Sequence, residues 1–154
     1  MEFAVIAWIH FAFILGIVEI GIATYFASMM DYATQVAARQ VFTGQVQASG
    51  NPLNTFQTAF CNTLVGASCS GFVFDVRNFP DFTAIRLPPI TFDNKGNPTN
   101  ASFQPGGPQT VVTVRVIYNY QFYTPLIASL MAGGSGNSLQ LTSTAVLKTE
   151  PFPG

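Results

Sequence analysis

The sequence predicts an α+β protein with one long N-terminal helix and a small head of three or four antiparallel strands and one or two short helices. Residues 3–30 form an apolar run of helical length, and residues 31–48 continue it with apolar positions at helical spacing. Segments that alternate apolar and polar residues begin only after residue 71, which is typical of strands. We therefore expect three divisions: an apolar transmembrane or assembly half of the helix (1–30), an amphipathic half that packs on the head (31–49), and the α+β head itself (50–154).

The composition indicates a protein of a membrane or of a packed polymer. Charged residues make up 8% of the 154 residues and hydrophobic residues make up 49%, whereas ordinary soluble domains carry roughly 25% charged residues. A surface with so few charges would be sticky in free solution. The net charge is -1 and the six Lys and Arg residues are scattered, so nothing predicts nucleic-acid binding.

The apolar run at 3–30 predicts a membrane-spanning helix. It contains no Lys, Arg or Pro, and its ionisable residues are His10 and Glu19. As one helix it is about 42 Å long, more than the roughly 30 Å of a bilayer's hydrocarbon core. A secretory signal is shorter and begins with a positive charge, whereas this run follows Glu2. We therefore expect the span to be retained.

Two glutamates and two glycines of this helix need a specific explanation. A carboxylate in hydrocarbon costs about 2.5 kcal/mol or more, so it pairs, takes up a proton or leaves the lipid. Glu2 either lies at the interface or neutralises an N-terminal amine, of its own or of a neighbouring chain. Glu19, about 25 Å further along, either reaches the far interface or faces another protein chain. Gly16 and Gly21 allow close helix contact, and they mark a place where the helix would unwind locally if it were packed in a protein bundle.

A second helix is predicted at 52–64, with Asn51 as its N-cap and a proline at its first position. Cys61 lies on this helix and Cys69 in the turn that follows, and the chain has no third cysteine. The pair forms either a disulfide, which would place the head outside the cytoplasm, or two buried thiols.

The remaining elements are strands joined by turns and one long loop. Asp75 and Arg115 fall on the polar sides of two strands, and we favour them as a cross-strand pair. Residues 88–109 carry five prolines and little periodicity, which predicts a functional, mobile or interacting loop. Within it, Asn100 begins a glycosylation sequon, which is a weak signal. The predicted elements are a strand at 72–77, an edge strand at 82–87, the main strand at 109–122, a short helix at 126–131 and a last strand at 139–148.

No pattern of catalytic residues is present in the sequence. The Gly-rich stretch 133–136 precedes a strand and lacks a lysine, so it does not predict a phosphate-binding loop. The single histidine, His10, lies in the apolar run, where we expect it to pack as a neutral group, and the head is left without a catalytic triad. The carboxylates of Asp75, Asp81 and Asp93 are interpreted as solvated groups at strand ends and turns. We predict no enzyme activity, no cofactor and no metal site.

Short motifs are spread in order over nearly the whole chain. The N-terminal group comprises Glu2-Phe3-Ala4-Val5, Gly16-Ile17-Val18-Glu19, Ala37-Ala38-Arg39 and Thr43-Gly44-Gln45. The later group comprises Phe60-Cys61, Cys69, Phe74-Asp75-Val76-Arg77, Tyr123-Thr124-Pro125-Leu126, Thr144-Ala145-Val146 and Glu150-Pro151-Phe152. Together these motifs resemble the pattern of the TadE-like pilin proteins of tight-adherence (Flp, type IVc) pili. The resemblance implies a type IV pilin-like architecture.

The resemblance also implies roles for individual residues. Glu2 matches the glutamate that follows the processing site, which in pilins neutralises an N-terminal amine during assembly. Glu19 matches the second glutamate of the family's helix. Cys61 and Cys69 match its usual cysteine pair, which implies a disulfide. The other residues expected to act in assembly are Phe3, Phe11, Phe13, Gly16 and Gly21.

The resemblance implies export by a type IV pilus machine, cleavage by a prepilin peptidase and assembly through the N-terminal helix. The leading hypothesis is therefore a structural pilin-like subunit, minor or main, that waits in the bacterial inner membrane and then enters an extracellular filament for cell adhesion. Its expected partners are other pilin subunits, the inner membrane and the pilus assembly machinery. The alternative is a singly anchored surface binding protein that does not polymerise and uses the 88–109 loop as its ligand site.

Overall fold

A computed structural model describes residues 2–65, 68–93, 98–124, 127–129 and 137–152 of the chain, with the backbone alone for residues 2–5. It confirms the predicted α+β class. The elements are a long helix α1 (Glu2–Phe42), a short helix α2 (Pro52–Cys61) and three strands, β1 (Phe72–Phe79), β2 (Val111–Gln121) and β3 (Ser138–Lys148).

The three strands form one antiparallel sheet in the order β1-β2-β3. β1 pairs with β2 in a register that runs from Phe72 opposite Tyr118 to Phe79 opposite Val111. Residues 111–117 of β2 are all buried, on both faces of the strand. A central strand covered on both faces favours β-branched residues, and β2 carries four valines in its first six positions.

The outer edge of β1 is paired with part of the long loop. The backbone N–H of Val76 donates to the carbonyl of Ser102, and the N–H of Gln104 donates to the carbonyl of Val76, both at 2.7 Å. The loop predicted at 88–109 is therefore irregular, as expected, but it is fixed to the sheet near its end. This pairing also covers backbone groups that would otherwise be open to another chain.

The chain comprises two compact units. The smaller unit comprises Met1–Ser28 with Asn119–Leu141, and the larger comprises Met29–Tyr118 with Thr142–Gly154. The long helix and two of the strands contribute residues to both units. The predicted divisions at residues 30 and 49 were drawn from the sequence pattern and stay a prediction.

The larger unit is built on an aromatic core. Phe56 and Phe60, which lie four residues apart on one face of α2, are fully buried. Phe60 packs edge-on against Phe72 and Phe74 of β1, with ring centroids 5.0 and 5.2 Å away. Burying one Phe side chain contributes about 1.5–3 kcal/mol. The second half of α1 adds a stripe of mostly small buried residues, namely Met30, Ala33, Thr34, Ala37, Ala38 and Val41.

α1 ends at Phe42 rather than near residue 48, so the predicted end of this helix was wrong. Gly44 adopts a left-handed conformation with φ +77°, which ends the helix and favours glycine. A Cβ at this position would lie 2.5 Å from the ring of Phe152. The N–H of Glu150 donates to the carbonyl of Phe42 at 3.0 Å. The tail of the chain therefore covers the end of α1.

The other boundaries follow the sequence closely, with one exception. The predicted N-cap is confirmed, because the side chain of Asn51 accepts a hydrogen bond from the N–H of Asn54, and α2 ends three residues before the predicted position. The edge strand predicted at 82–87 is wrong. Asp81 instead accepts hydrogen bonds from the N–H groups of Thr83 and Ala84 and starts a 3-10 turn at Phe82–Ala84. Of the helix predicted at 126–131, the structure describes residues 127–129, which are helical.

Candidate functional site

The first half of α1 is the candidate functional surface. The helix from Ile6 to Phe42 is long and apolar enough to cross a membrane by length and composition. Its most apolar stretch of 18 residues has a mean hydropathy of 2.1, and only 17% of that stretch is buried in the protein. A core helix of a soluble protein would be mostly buried instead.

Large apolar side chains project from this half of α1 without cover from the described part of the chain. Trp8 is 76% exposed and Phe13 is 69% exposed, and Phe11 is also exposed. The side chains of Glu2 and Phe3, which were also predicted to act in assembly, lie outside the described residues. Further exposed residues of α1 are Ile6, Ile9, Ile14, Leu15, Ile17, Val18, Ile20, Ile22 and Tyr25. Such a continuous apolar surface requires lipid or another protein as its partner.

The two glycines of the helix lie in different surroundings. Gly16 is buried, and a Cβ at this position would lie 2.9 Å from the Cδ1 atom of Ile127. Gly21 is exposed, and a Cβ there would meet nothing within 4 Å. α1 is an unbroken helix through both positions. The predicted unwinding concerns the helix inside a filament core, and it stays a prediction.

Glu19 is buried within the smaller unit, and its carboxylate is bound by the backbone of the same chain. The residue is only 4% exposed. Its oxygens accept hydrogen bonds from the N–H of Tyr123 and from the N–H of Thr124, the latter with both oxygens at 3.1 Å. These N–H groups lie where the chain turns into the helical residues 127–129, and free N–H groups before a helix attract a negative charge.

This partner of Glu19 was not predicted. The predicted alternatives were the far interface or another chain, whereas the structure supplies backbone donors from the segment between β2 and β3. The sequence did contain one signal, the pair Thr124-Pro125, which is typical of the start of a helix. The N–H groups at the start of a helix need an acceptor. Nothing in the local pattern shows which acceptor that is.

An apolar groove of about 480 Å³ lies beside this contact. Trp8, Phe13 and Ile17 of α1 line it on one side, and Ile127 lines it on the other. Apart from the indole N–H of Trp8, the side chains that line the groove carry no hydrogen-bonding group, so the groove favours an apolar occupant such as a lipid chain or an apolar helix.

A buried ion cluster holds the long loop to the sheet in the larger unit. Asp75 is fully buried, so its interpretation as a solvated group was wrong. The predicted pairing with Arg115 is confirmed, because the two residues lie opposite each other and the Nη2 atom of Arg115 is 2.6 Å from Asp75 Oδ2. Asp75 also pairs with Arg77 at 2.9 Å and accepts from the N–H of Ser102 at 3.0 Å. Arg77 in turn donates to the carbonyl of Asn100.

Two other features of the larger unit bear on function. Cys61 and Cys69 form a disulfide, which closes a short loop and is typical of proteins outside the cytoplasm. The side chain of Asn100 accepts from the N–H of Thr91 and donates to the carbonyl of Pro89. The sequon asparagine is thus part of the internal hydrogen bonding of the loop. Among the described residues, no group of three or more His, Cys, Asp or Glu side chains is placed to hold a metal ion.

These observations define a class: α+β proteins with an N-terminal helix that is able to cross a membrane and a first helical half that is largely uncovered. A family model described as TadE-like protein matches residues 1–39, roughly a quarter of the chain. The predicted resemblance to this family is confirmed over this segment, which contains both helix glutamates. No curated protein and no solved structure was found to match the chain.

Proposed function

We propose that this protein is a structural, pilin-like subunit that is anchored in the inner membrane by α1 and then assembles through α1 into an extracellular tight-adherence filament. The observation that carries the proposal is the uncovered apolar half of α1, where Trp8, Phe13 and Ile17 are each at least 69% exposed. In the membrane, lipid covers these side chains. In a filament, the same half of neighbouring subunits covers them.

The energetics favour such an assembly. Each Å² of apolar surface removed from water is worth about 25 cal/mol. When a subunit moves from lipid into a filament core, its apolar surface is not removed from water, so the stabilisation comes instead from close packing of helices. Gly21 supports this packing, because it is open on the helix surface and a neighbouring backbone is able to approach it closely.

The larger unit supports a location outside the cytoplasm. It carries the disulfide between Cys61 and Cys69, and disulfides form and persist in oxidising compartments. In the proposed filament, this unit forms the outer surface and contributes to adhesion. Both a minor subunit and a main subunit fit these features.

The proposal is tested by following the protein between the membrane and the cell surface. Cells that carry a tight-adherence pilus machine would express the chain, and the sheared surface fraction and the membrane fraction would be compared by immunoblotting. We expect the native protein in both fractions. The Glu2→Ala variant should remain in the membrane and be lost from the sheared fraction, because the proposed charge pairing with an N-terminal amine is removed.

A matched control is Asp31→Ala, which removes an exposed carboxylate further along the same helix. We expect it to reach the sheared fraction like the native protein. If the Glu2→Ala protein is displayed normally and no filament contains the chain, the protein is a singly anchored surface protein and the proposed assembly is wrong.

A further inference from the structure

Charged residues are distributed very unevenly between the two compact units. All six Lys and Arg residues lie in the larger unit, and so do five of the seven Asp and Glu residues. From Val116 to Leu147 the chain contains no Lys, Arg, His, Asp or Glu at all. This stretch includes the β2–β3 connector, defined here as the described residues 122–124, 127–129 and 137. The segment 119–141 of the smaller unit therefore brings no charged side chain to α1.

The length of the span brings the connector to the depth of the bilayer. A span of about 20 residues that begins at Phe3, directly after the charge of Glu2, extends to about Ile22. A later start moves its end further along α1. Every 20-residue span placed between the charges of Glu2 and Asp31 therefore contains Gly16 and Glu19, two positions that the connector contacts.

The contacts between α1 and the connector are close and specific. Ile127 packs on Gly16, where a Cβ would lie only 2.9 Å from its Cδ1 atom. The N–H groups of Tyr123 and Thr124 bind the carboxylate of Glu19. If residues 16–19 of α1 lie in hydrocarbon, this part of the connector lies there too.

Several backbone polar groups of these connector residues are paired, and such pairing is the main requirement for entering lipid. The N–H of Phe122 donates to the carbonyl of Asn137 at 2.9 Å, and the carbonyl of Phe122 accepts from the side chain of Asn137 at 2.7 Å. The N–H of Ala128 donates to the carbonyl of Thr124 at 3.0 Å. The Glu19 carboxylate is likewise satisfied by N–H groups rather than left bare.

The side chain of Tyr123 also indicates a contact with the membrane. It is 86% exposed, although its backbone is held against α1. An exposed tyrosine beside an apolar span is typical of the membrane–water interface, where the ring contacts lipid and the hydroxyl contacts water.

We propose that the β2–β3 connector is a second membrane-contacting segment, which enters the lipid beside α1 and is held there by Glu19. Its partner is the acyl-chain region of the bilayer. The proposal rests on the membrane stage of the proposed function and not on filament assembly. The anchor is then a helix together with a returning segment rather than a bare helix.

Depth-dependent fluorescence quenching tests this proposal on the full chain. The protein would be reconstituted into phosphatidylcholine vesicles with or without bromine atoms on the acyl chains. Because Trp8 is the only tryptophan, Trp8→Phe removes the background and Tyr123→Trp adds a reporter at an exposed position. We expect brominated lipid to reduce the reporter's emission at least twofold and its maximum to lie at shorter wavelength than in water.

The matched control places the reporter in the larger unit. Phe82 is 57% exposed there, and Phe82→Trp in the same background should lose little emission in brominated lipid. Equal, weak quenching of the two reporters would overturn the proposal. The native Trp8 tests the anchoring by α1 separately from the lipid contact of the connector. If Trp8 is quenched and the Tyr123→Trp reporter is not, the connector lies outside the lipid, and the anchoring by α1 stands. If Trp8 is not quenched either, both are wrong.

Discussion

Both carboxylate oxygens of Glu19 lie 3.1 Å from the backbone nitrogen of Thr124, a residue 105 positions further along the chain. This contact joins the apolar half of α1 to the connector between the last two strands. It gives a buried acid a partner within its own chain, so Glu19 does not need a cation from a neighbouring subunit. The covered side of α1 carries Gly16 and Glu19, and the open side carries Gly21.

Replacing Glu19 by alanine should release the connector from α1. The N–H groups of Tyr123 and Thr124 lose a charged acceptor, and hydrogen bonds to charged groups are worth about 1.5–3 kcal/mol each. We expect the free energy of local opening at this contact to fall by about 3 kcal/mol. Amide hydrogen exchange of the protein in detergent micelles should then be roughly a hundredfold faster at these two residues.

Glu19→Gln is the matched control for this prediction, because it keeps a carbonyl acceptor of the same reach without the charge. Its exchange rates should fall between those of the native protein and those of the alanine variant. Unchanged exchange at Thr124 in Glu19→Ala would show that the carboxylate does not hold the connector.

Replacing Asp75 by alanine should strongly destabilise the larger unit. The change leaves the largely buried Arg115 without its ion partner, and breaking a buried ion pair from one side costs about 3–5 kcal/mol. We expect urea unfolding in micelles to show a loss of about 3 kcal/mol. Asp31→Asn, at an exposed position of α1, should change the free energy of unfolding by less than about 0.5 kcal/mol. Equal midpoints for the two variants would contradict the assignment of Asp75 as the anchor of the loop.

Gly44→Ala should destabilise the protein at the junction of α1 and the tail. The residue has φ +77°, and a Cβ would meet the ring of Phe152 at 2.5 Å. Backbone strain and overpacking together predict a loss of about 2 kcal/mol or more. Gly50→Ala is the control, because a Cβ there meets nothing within 4 Å and its φ lies outside the left-handed range. The two variants would be compared by thermal unfolding. Equal midpoints would contradict the claim that a side chain at position 44 strains the protein.

The pKa of Asp81 lies below its usual range, chiefly because the Thr83 hydroxyl donates to the carboxylate at 2.6 Å, with the N–H of Ala84 as a further donor. The folded protein therefore favours the ionised form. Its contribution to stability is present above the pKa of an unfolded aspartate, about 3.9, and is lost as the pH falls through the lower folded value. Carboxyl chemical shifts measured against pH should show a higher pKa of Asp81 in Thr83→Val. An unchanged pKa would show that the Thr83 hydroxyl does not cause the lowering.

The helices and strands were largely predictable because their signals are local. The apolar run gave α1, Asn51 and Pro52 marked the start of α2, and alternation marked the strands. The pairing of Asp75 with Arg115 was also predictable, since opposite charges on neighbouring strands favour the register that joins them.

Other features depend on contacts between distant residues, and no local pattern contains them. Asp75 was interpreted as a solvated group at a strand end or turn, whereas the N–H of the loop residue Ser102 donates to its carboxylate. The strand predicted at 82–87 failed because a single side chain, that of Asp81, starts a turn instead. The partner of Glu19 was missed for the same reason as the burial of Asp75, since it lies in a segment far along the chain.

Electron cryo-microscopy of filaments sheared from cells that express this chain together with a tight-adherence pilus machine tests the central claim most directly. The account predicts filaments in which density for this protein is present, with the first half of α1 packed against other helices in the core and the disulfide-bearing unit outside. Filaments that lack the chain, together with protein that remains as single copies in the membrane fraction, would contradict it.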